Sequence, residues 1–336
     1  MTDNQAPAAD GGFPQGRPAH AETSSRSEGR YWGTFERDVV KVSGPQAGVF
    51  LQGQLTQDVE SVAVGSHKWS WLLEPSGKVV ALLRVFCVAD EEWVLEVDPP
   101  WGEQVAARLA RFKLRTKAEL ATLKATLLAC RGKGWRVDGH LVASPPWPGL
   151  DGLDVLILNR PAGPGDDPAG PEDQSTSGEA TPGVMPADLS AWPTVPAETL
   201  EADRIAVGQP RMGAELTERT IPAETGLVDL TVSFTKGCYT GQELVARIDS
   251  RGNHVPRRMV RLRPEARIAV GAELHALQPD APGVRMSPTK DGTGGFGRVT
   301  SVAYSAARGW VALGYLDRKA GAPTEVAAGD VAVKVL

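Results

Sequence analysis

The stretch 161–196 constrains the fold of this 336-residue chain more than any other feature. It holds eight prolines, five glycines and six acidic residues, and it has no lysine or arginine. A segment of this composition buries too little apolar surface to offset the conformational entropy that ordering would cost. We therefore predict a disordered acidic insertion here. Residues 1–30 are rich in Ala, Gly, Pro and Ser, and they predict a disordered tail for the same reason.

Between the tail and the insertion, residues 31–160 alternate irregularly between strand-like and helix-like patterns. Short apolar stretches predict strands at residues 38–42, 69–73, 79–88, 93–97, 125–130 and 154–158. Helices are predicted after Pro45 and after Pro100, and Arg108 and Arg111 are expected on the solvated face of the second helix. Strands and helices do not alternate regularly, as they would in a doubly wound sheet. The pattern therefore predicts an α+β domain with a mixed or antiparallel sheet.

Two further segments are predicted after the insertion. Residues 197–256 are expected to form a second α+β segment. Residues 257–336 show strand-like stretches separated by Gly, Pro and Asp turns, which predicts a small C-terminal antiparallel β-barrel or sandwich. The run 292–297 satisfies G-x-G-x-x-G, but a strand pattern follows it. With no helix to receive a phosphate, the run is interpreted as a flexible hairpin loop and not as a nucleotide site.

Composition narrows the class of protein. The net charge of −5 argues against a general nucleic-acid coat protein. The cysteines Cys87, Cys130 and Cys238 are few and far apart, so the sequence predicts neither a disulfide framework nor a zinc site. Apolar runs are too short to cross a bilayer and the N-terminus has no apolar signal region, so we expect a cytoplasmic protein without a membrane partner.

The most informative run for chemistry is KGCYTGQE at residues 236–243. Thr240 and Glu243 have the spacing of a capping box at the start of a predicted helix. Cys238 would then lie at the positive end of the helix dipole, where Lys236 also favours a thiolate. The alternative is a buried structural cysteine in a turn. His254 is the nearest histidine in sequence, and it could serve as a base for Cys238 or cap the helix.

Residues 236–263 also form a basic run in a net acidic chain. They contain seven cationic side chains against two acidic ones. Such a run could receive a polyglutamyl tail, a phosphate or a nucleic-acid backbone. It could equally be the charged outer face of a helix and a strand, because Arg261 and Arg263 alternate with Val260 and Leu262. The sequence leaves both interpretations open.

The run Lys236–Arg247 resembles the signature of the YgfZ-type folate-binding proteins, which are relatives of the glycine-cleavage T-protein. Supporting matches lie at residues 42–59, 204–210 and 221–222, and the resemblance covers residues 31–336 apart from the insertion. It implies a GcvT-like ring of two α+β segments, the second ferredoxin-like, and a C-terminal antiparallel β-barrel around a folate pocket. It also implies a folate-binding accessory role in iron–sulfur cluster assembly or repair, serving [4Fe-4S] enzymes and, in bacterial members, tRNA modification.

Two departures from the T-protein pattern argue against aminomethyl transfer. The T-protein carries paired acids after a turn glycine, whereas residues 77–83 here contain no carboxylate. Ala206 stands where the T-protein has a glutamate. Without those acids no group is identified that could orient the folate for one-carbon transfer. A folate-dependent aminomethyltransferase and a tRNA-binding module remain the alternatives to the accessory role.

The resemblance also implies the site. Cys238 is expected to act as a functional thiolate and Lys236 to supply positive charge. Contacts with tetrahydrofolate or a derivative are expected from Gly237, Tyr239, Gly241, Gln242, Glu243 and Arg247. A single cysteine cannot hold a cluster, which normally takes four thiolates, so no stably bound metal is expected. The implied partners are folate, iron–sulfur client enzymes or assembly factors, and tRNA.

Overall fold

A computed structural model describes residues 29–137, 141–159, 189–252, 254–277 and 295–336. The predicted N-terminal tail, most of the predicted insertion and the first part of the glycine-rich run 292–297 lie outside these residues. No helix among the described residues is long and apolar enough to cross a membrane.

The described chain contains five α-helices and thirteen β-strands. The helices are α1 (Ala47–Gln54), α2 (Gly102–Lys113), α3 (Ala197–Val207), α4 (Val228–Thr231) and α5 (Gln242–Ser250). The strands before the insertion are β1 (Tyr31–Ser43), β2 (His67–Leu73), β3 (Val79–Ala89), β4 (Glu92–Val97), β5 (Glu119–Arg131), β6 (Val142–Ala143) and β7 (Gly152–Leu158). Those after it are β8 (Arg257–Pro264), β9 (Glu273–Leu274), β10 (Gly297–Ser305), β11 (Gly309–Asp317), β12 (Glu325–Ala328) and β13 (Val331–Val335).

The first seven strands form one antiparallel sheet in the order β2-β3-β4-β1-β5-β7-β6. Successive side chains of a strand point to opposite faces, and in β3 both faces are covered. Val85 and Cys87 pack into the core on one face, while Phe86 and Val88 pack into a second core on the other. The continuous apolar run of β3 is explained by this double burial. The predicted α+β class with an antiparallel sheet is confirmed.

The last six strands form an antiparallel sheet in the order β12-β13-β8-β11-β10-β9. Its two ends meet, because His275 after β9 and Ala327 in β12 exchange backbone hydrogen bonds of 2.9 Å in both directions. The sheet thus closes on itself around an apolar core that includes Leu262, Leu316 and Val326. The predicted C-terminal β-barrel is confirmed.

The segment 197–256 differs from the ferredoxin-like arrangement expected for it. Its described residues form α3, α4, α5 and short turns, and they contribute no strand to either sheet. In α3 the apolar residues Ala202, Ile205 and Ala206 recur at helical spacing and pack on Val311 and Leu313 of the barrel. Burial against β11 therefore favours a helix here, and the adjoining sheet belongs to the barrel.

Residues 189–196, the end of the predicted disordered insertion, are ordered. The Trp32 indole donates hydrogen bonds to the carbonyl oxygens of Leu189 and Trp192 at 3.1 and 3.2 Å. Trp32 also pairs through its backbone with Pro193 and Val195. The prediction of disorder is wrong for these residues, because Leu189 and Trp192 supply apolar surface that the composition of the whole stretch conceals.

Candidate functional site

Cys238 lies exposed in the turn that precedes α5, whereas Cys87 and Cys130 are buried. The interpretation of Cys238 as a buried structural cysteine is therefore wrong. Within the described residues no group of three or more His, Cys, Asp and Glu side chains could hold a metal ion. The chemistry of the turn rests on one accessible thiol and on the contacts that fix its backbone.

Lys236 fixes the start of this turn. Its ammonium group donates to the carbonyl oxygens of Gln52, Leu55 and Gln57 at 2.6, 2.7 and 3.0 Å. These carbonyls lie at and just beyond the C-terminal end of α1, where backbone acceptors have no partner within the helix. Burial lowers the pKa of Lys236 to about 8. Lys236 thus connects the turn to α1 by hydrogen bonds. The sequence did not indicate these contacts, because the partners are far away along the chain.

Gly241 fixes the end of the turn by a close backbone approach. It has φ +86°, and a Cβ placed on it would lie 2.6 Å from the Glu74 carbonyl oxygen and 2.9 Å from Leu73 Cβ. Gly77, in the same β2–β3 connection, has φ +79° and would place a Cβ 2.6 Å from Leu244 Cβ. Glycine is the residue that tolerates both the positive φ and the missing space. The two glycines let the turn before α5 lie against the β2–β3 connection.

The predicted capping box is absent. The N-cap of α5 is Gly241, in a left-handed conformation that offers no side-chain acceptor. Thr240 instead donates its backbone N–H to the Gly53 carbonyl at 3.2 Å. Glu243 forms an exposed ion pair with Arg247 one turn along the helix. The Gln242 side chain accepts the Tyr239 backbone N–H at 3.2 Å and closes the turn.

Arg108 also belongs to this region, although the sequence predicted it on the solvated face of α2. It is buried, and it donates to the Leu73 carbonyl at 2.7 Å and to the Gln54 side-chain oxygen at 3.4 Å. The Thr240 hydroxyl donates to the same Gln54 oxygen at 3.4 Å. The prediction for Arg108 is wrong because carbonyls of β2 and α1, far away in sequence, replace water around its guanidinium.

Tyr239 and Gly237 differ sharply in their surroundings. Tyr239 is buried in the main core, and burial raises the pKa of its hydroxyl to about 12. The Lys236 ammonium lies 5.3 Å from its ring centroid, within the range of a cation–π contact. A Cβ placed on Gly237 would meet no atom within 4 Å. One side of Cys238 is therefore anchored in the core, and the other faces open space.

A second feature is a cavity of about 680 Å³ between the first sheet and α3. Aromatic side chains on its wall are Phe35, Trp69 and Trp101. Its other lining residues are mostly charged and include Arg37, Arg84, Glu96, Asp98, Arg131, Asp154, Glu201, Asp203, Arg204 and Arg211. None of the eight residues predicted as the site, Lys236 to Arg247, is among the lining residues.

Buried ion pairs organise one wall of this cavity. Arg84 contacts Glu96 at 2.5 Å and Asp154 at 2.8 Å, and Arg131 contacts Asp154 at 2.8 Å. Burial alone would raise the pKa of Asp154, but the two guanidinium groups outweigh it and hold that pKa below its usual value. Sequence reasoning missed this cluster, because its members lie inside strands that otherwise read as apolar.

A second group of ion pairs joins α3 to the barrel. Arg204 contacts Glu201 at 2.7 Å and Glu215 at 3.1 Å, and Glu215 accepts hydrogen bonds from Ser301 and Thr300 at 2.6 and 2.7 Å. Glu215 and Arg204 are buried, so their charges balance within the protein. This network fixes the cavity wall that α3 supplies.

The basic run 236–263 does not form a continuous surface. Arg257 pairs with Glu224 at 3.1 Å, and its guanidinium lies 4.2 Å from the centroid of the Tyr315 ring. Arg261 packs its aliphatic stem within 3.2 Å of the position of a Cβ on Gly208. His254 is exposed beyond the end of α5. Arg263 lies apart from these residues, in a groove of the barrel.

Several known proteins are similar in sequence to this chain. No family model matches it. It is 30% identical over 219 residues to the tRNA-modifying protein YgfZ of Photorhabdus laumondii, an alignment that covers 64% of this chain and 65% of the relative. It is 28% identical over 235 residues to the mitochondrial iron–sulfur cluster assembly factor IBA57 homologue of Pyricularia oryzae, covering 64% and 53% of the two chains. This chain is thus similar in sequence to YgfZ and IBA57 proteins.

The alignment spans less than two thirds of the length of these curated relatives. The similarity of fold covers more of the chain than the similarity of sequence does. Its structure is similar to the crystal structure of the glycine cleavage system aminomethyltransferase T from Bartonella henselae, with a TM-score of 0.67 and 18% identity. That similarity covers 92% of this chain and 85% of the other. The GcvT-like fold is thus shared, while the low identity carries no information on activity.

Proposed function

We propose that this chain is an accessory protein of iron–sulfur cluster assembly or repair that uses the Cys238 thiolate in transient contact with a cluster or client. The observation that carries the proposal is the geometry of the turn: an exposed thiol on a backbone fixed by Lys236 and Gly241. The names of its relatives, an iron–sulfur cluster assembly factor and a tRNA-modifying protein, support the same role.

The geometry fits brief ligation better than storage. A cluster normally takes four thiolates, and the other two cysteines are buried. Cys238 would therefore contribute one ligand while a client or carrier supplies the rest. Because Lys236 and Gly241 already order the turn, little further conformational entropy is lost when a partner engages the thiol. Lys236 acts here by positioning, since its three hydrogen bonds direct its charge toward α1.

We further propose that folate binds in the cavity between the first sheet and α3. The volume of about 680 Å³ lies within the usual range of ligand pockets. Two cavity residues, Trp69 and Arg131, each have a buried nitrogen without a hydrogen-bond partner among the described residues. Arg211 keeps about half of its side chain exposed and could pair with a glutamyl carboxylate. Bound tetrahydrofolate would supply the N5 and N10 nitrogens that carry one-carbon units.

In this proposal folate does not contact the residues that follow Cys238, in contrast to the expectation from the sequence. Tyr239 is buried in the core, and the space beside Gly241 is filled by the β2–β3 connection. Glu243 and Arg247 pair with each other on the surface. The cavity offers enclosure and aromatic walls, whereas the turn offers an accessible thiol.

Aminomethyl transfer is not part of the proposal. Ala206 packs against the barrel, and the strand after Gly77 buries apolar side chains where the T-protein pattern has acids. The cavity does contain carboxylates, but the pKa values of Asp154 and Glu201 are held below their usual values by arginine partners that outweigh burial. A general base works best with a pKa near the operating pH. Catalytic formation of methylene-tetrahydrofolate, at roughly one turnover per second or more, would contradict this reasoning.

The thiolate role is tested by complementation of a deletion strain, with a [4Fe-4S] enzyme as the readout. Cys238→Ala should fail to restore its activity, while Gly237→Ala, which keeps the thiol in the same turn, should restore it. Full restoration by Cys238→Ala would refute the thiolate role. Both variants should be checked for equal abundance and unfolding midpoint.

The folate site is tested by tryptophan fluorescence during titration with tetrahydrofolate. Arg211→Ala should weaken binding of tetrahydrofolate while leaving binding of a pterin without a glutamyl tail unchanged. Arg219→Ala, an exposed arginine outside the cavity lining, is the matched control. Equal affinity of wild type and Arg211→Ala for tetrahydrofolate would remove Arg211 from the site, and no binding to the wild type would reject the cavity.

A further inference from the structure

The C-terminal barrel carries an open groove of about 1060 Å³ on its outer surface. It lies apart from the thiol turn and from the central cavity, with which it shares no lining residue. The groove is lined by parts of β8, β10, β11, β12 and β13 and by the loop that follows β8. Its charged and aromatic lining residues are Arg263, Glu265, Arg267, Tyr304, Arg308, Trp310, Glu325 and Lys334.

The groove has more cations than carboxylates, because Arg263, Arg267, Arg308 and Lys334 line it together with Glu265 and Glu325. Arg263 in β8 and Lys334 in β13 are direct neighbours in the strand pairing, and both are exposed. Like charges directly opposite each other destabilise a sheet. Within the described chain neither side chain, nor Arg267, forms an ion pair with a carboxylate. Glu325 lies opposite Lys334 on its other side, in β12. The lining nevertheless keeps two more cations than carboxylates, and an anionic partner would balance this excess.

An aromatic pair stands at the β10–β11 end of the groove. Tyr304 and Trp310 face each other across the hairpin with ring centroids 5.3 Å apart and an interplanar angle of 69°. Tyr304 keeps 40% of its surface exposed. Arg308, in the connecting turn, is also exposed. The groove therefore combines the exposed Tyr304 ring, which packs against Trp310, with several cations that form no ion pair within the described chain.

We propose that this groove binds single-stranded nucleic acid. Phosphates would lie along Arg263, Lys334 and Arg267, and an unpaired base would stack on Tyr304. A positively charged groove with exposed aromatic rings is the arrangement by which proteins hold single strands without strict sequence preference. An acidic peptide would use the cations and leave the ring without a stacking partner, and duplex bases are already stacked on one another. The inference does not depend on the proposed roles of Cys238 or folate.

The test uses the full chain and a fluorescein-labelled ten-nucleotide oligo(U), followed by fluorescence anisotropy between about 50 and 300 mM salt. For single strands the slope of log K against log salt is about −0.7 per neutralised phosphate, so three to four contacts predict a slope of about −2 to −3. Arg263→Ala with Lys334→Ala should reduce the slope by about 1.4 and weaken binding at low salt. Tyr304→Ala should weaken binding by roughly tenfold at an unchanged slope, because stacking carries no charge.

The matched control is Lys117→Ala with Arg219→Ala, which removes the same charge from exposed positions outside the groove. This variant should bind as the wild type does. The proposal is overturned if control and groove variants lose affinity equally, or if the Tyr304→Ala variant binds unchanged. It is also overturned if a duplex or a poly-glutamate peptide of equal charge competes as well as the single strand. Unfolding midpoints equal to that of the wild type establish that each variant is folded.

Discussion

Replacing Gly241 with alanine probes the turn that presents Cys238. At φ +86° an L-residue costs about 1–2 kcal/mol. The new Cβ would also lie 2.6 Å from the Glu74 carbonyl oxygen, a backbone atom that can move only with the β2–β3 connection. Such overpacking typically costs about 1–3 kcal/mol. We therefore expect Gly241→Ala to lower the free energy of unfolding by about 2–5 kcal/mol, measured by urea denaturation monitored by tryptophan fluorescence.

The matched control is Gly237→Ala, four residues earlier in the sequence and on the open side of the same turn. A Cβ there meets nothing within 4 Å, and φ lies outside the positive region. Its stability should change little or rise by up to about 1 kcal/mol, because alanine restricts the unfolded chain. Equal unfolding free energies for the Gly237→Ala and Gly241→Ala variants would refute the argument that close contact at Gly241 fixes the turn.

Three further predictions concern the buried side chains of Lys236 and Arg84 and the exposed thiol of Cys238. Because the pKa of Lys236 is about 8 in the folded protein and about 10.5 when unfolded, the unfolded chain binds more protons between these values and stability should rise with pH across that window. Lys236→Met should remove this rise in urea titrations at pH 7.5 to 10.5. Arg84→Met should cost about 3–5 kcal/mol by leaving Glu96 and Asp154 without their shared partner, whereas Arg219→Met should change unfolding little. A thiol reagent should modify Cys238 rapidly in the native protein and all three cysteines after unfolding; rapid modification of more than one native thiol would contradict the burial of the others.

Local patterns of apolar residues predicted most strands and the two helices of the first domain, since such patterns report directly on burial. The apolar run of β3 and the alternation in β8 both appear as strands. The errors arose where a partner distant in sequence decides the outcome. Arg108 reads as a surface residue until the carbonyl of Leu73 comes beside it. Arg84 interrupts an apolar run, and only its contacts with Glu96 and Asp154 explain why.

The candidate site shows the same limit. KGCYTGQE marked the exposed thiol correctly, because the run combines glycines with a single cysteine in polar surroundings. The partners of Lys236, however, are carbonyls of residues 52 to 57, and no local pattern of the run indicates them. The cavity was missed for a related reason. Its walls come from six strands, the loops after β4 and before β7, α3 and the loop after α3, and each contributes only a few residues.

The hydrogen bonds between Lys236 and the end of α1 affect the order in which parts of the protein can fold during synthesis. They join residues separated by 184, 181 and 179 positions. During synthesis the N-terminal sheet can fold first, since N-terminal segments emerge from the ribosome earlier. The turn, by contrast, can reach its final shape only after both of its anchors have been synthesised. A chain that lacks residues 52–57 would therefore carry Cys238 on a loop without this anchor. Presentation of the anchored thiol thus depends on the N-terminal segment, although the thiol itself lies almost two hundred residues later in the chain.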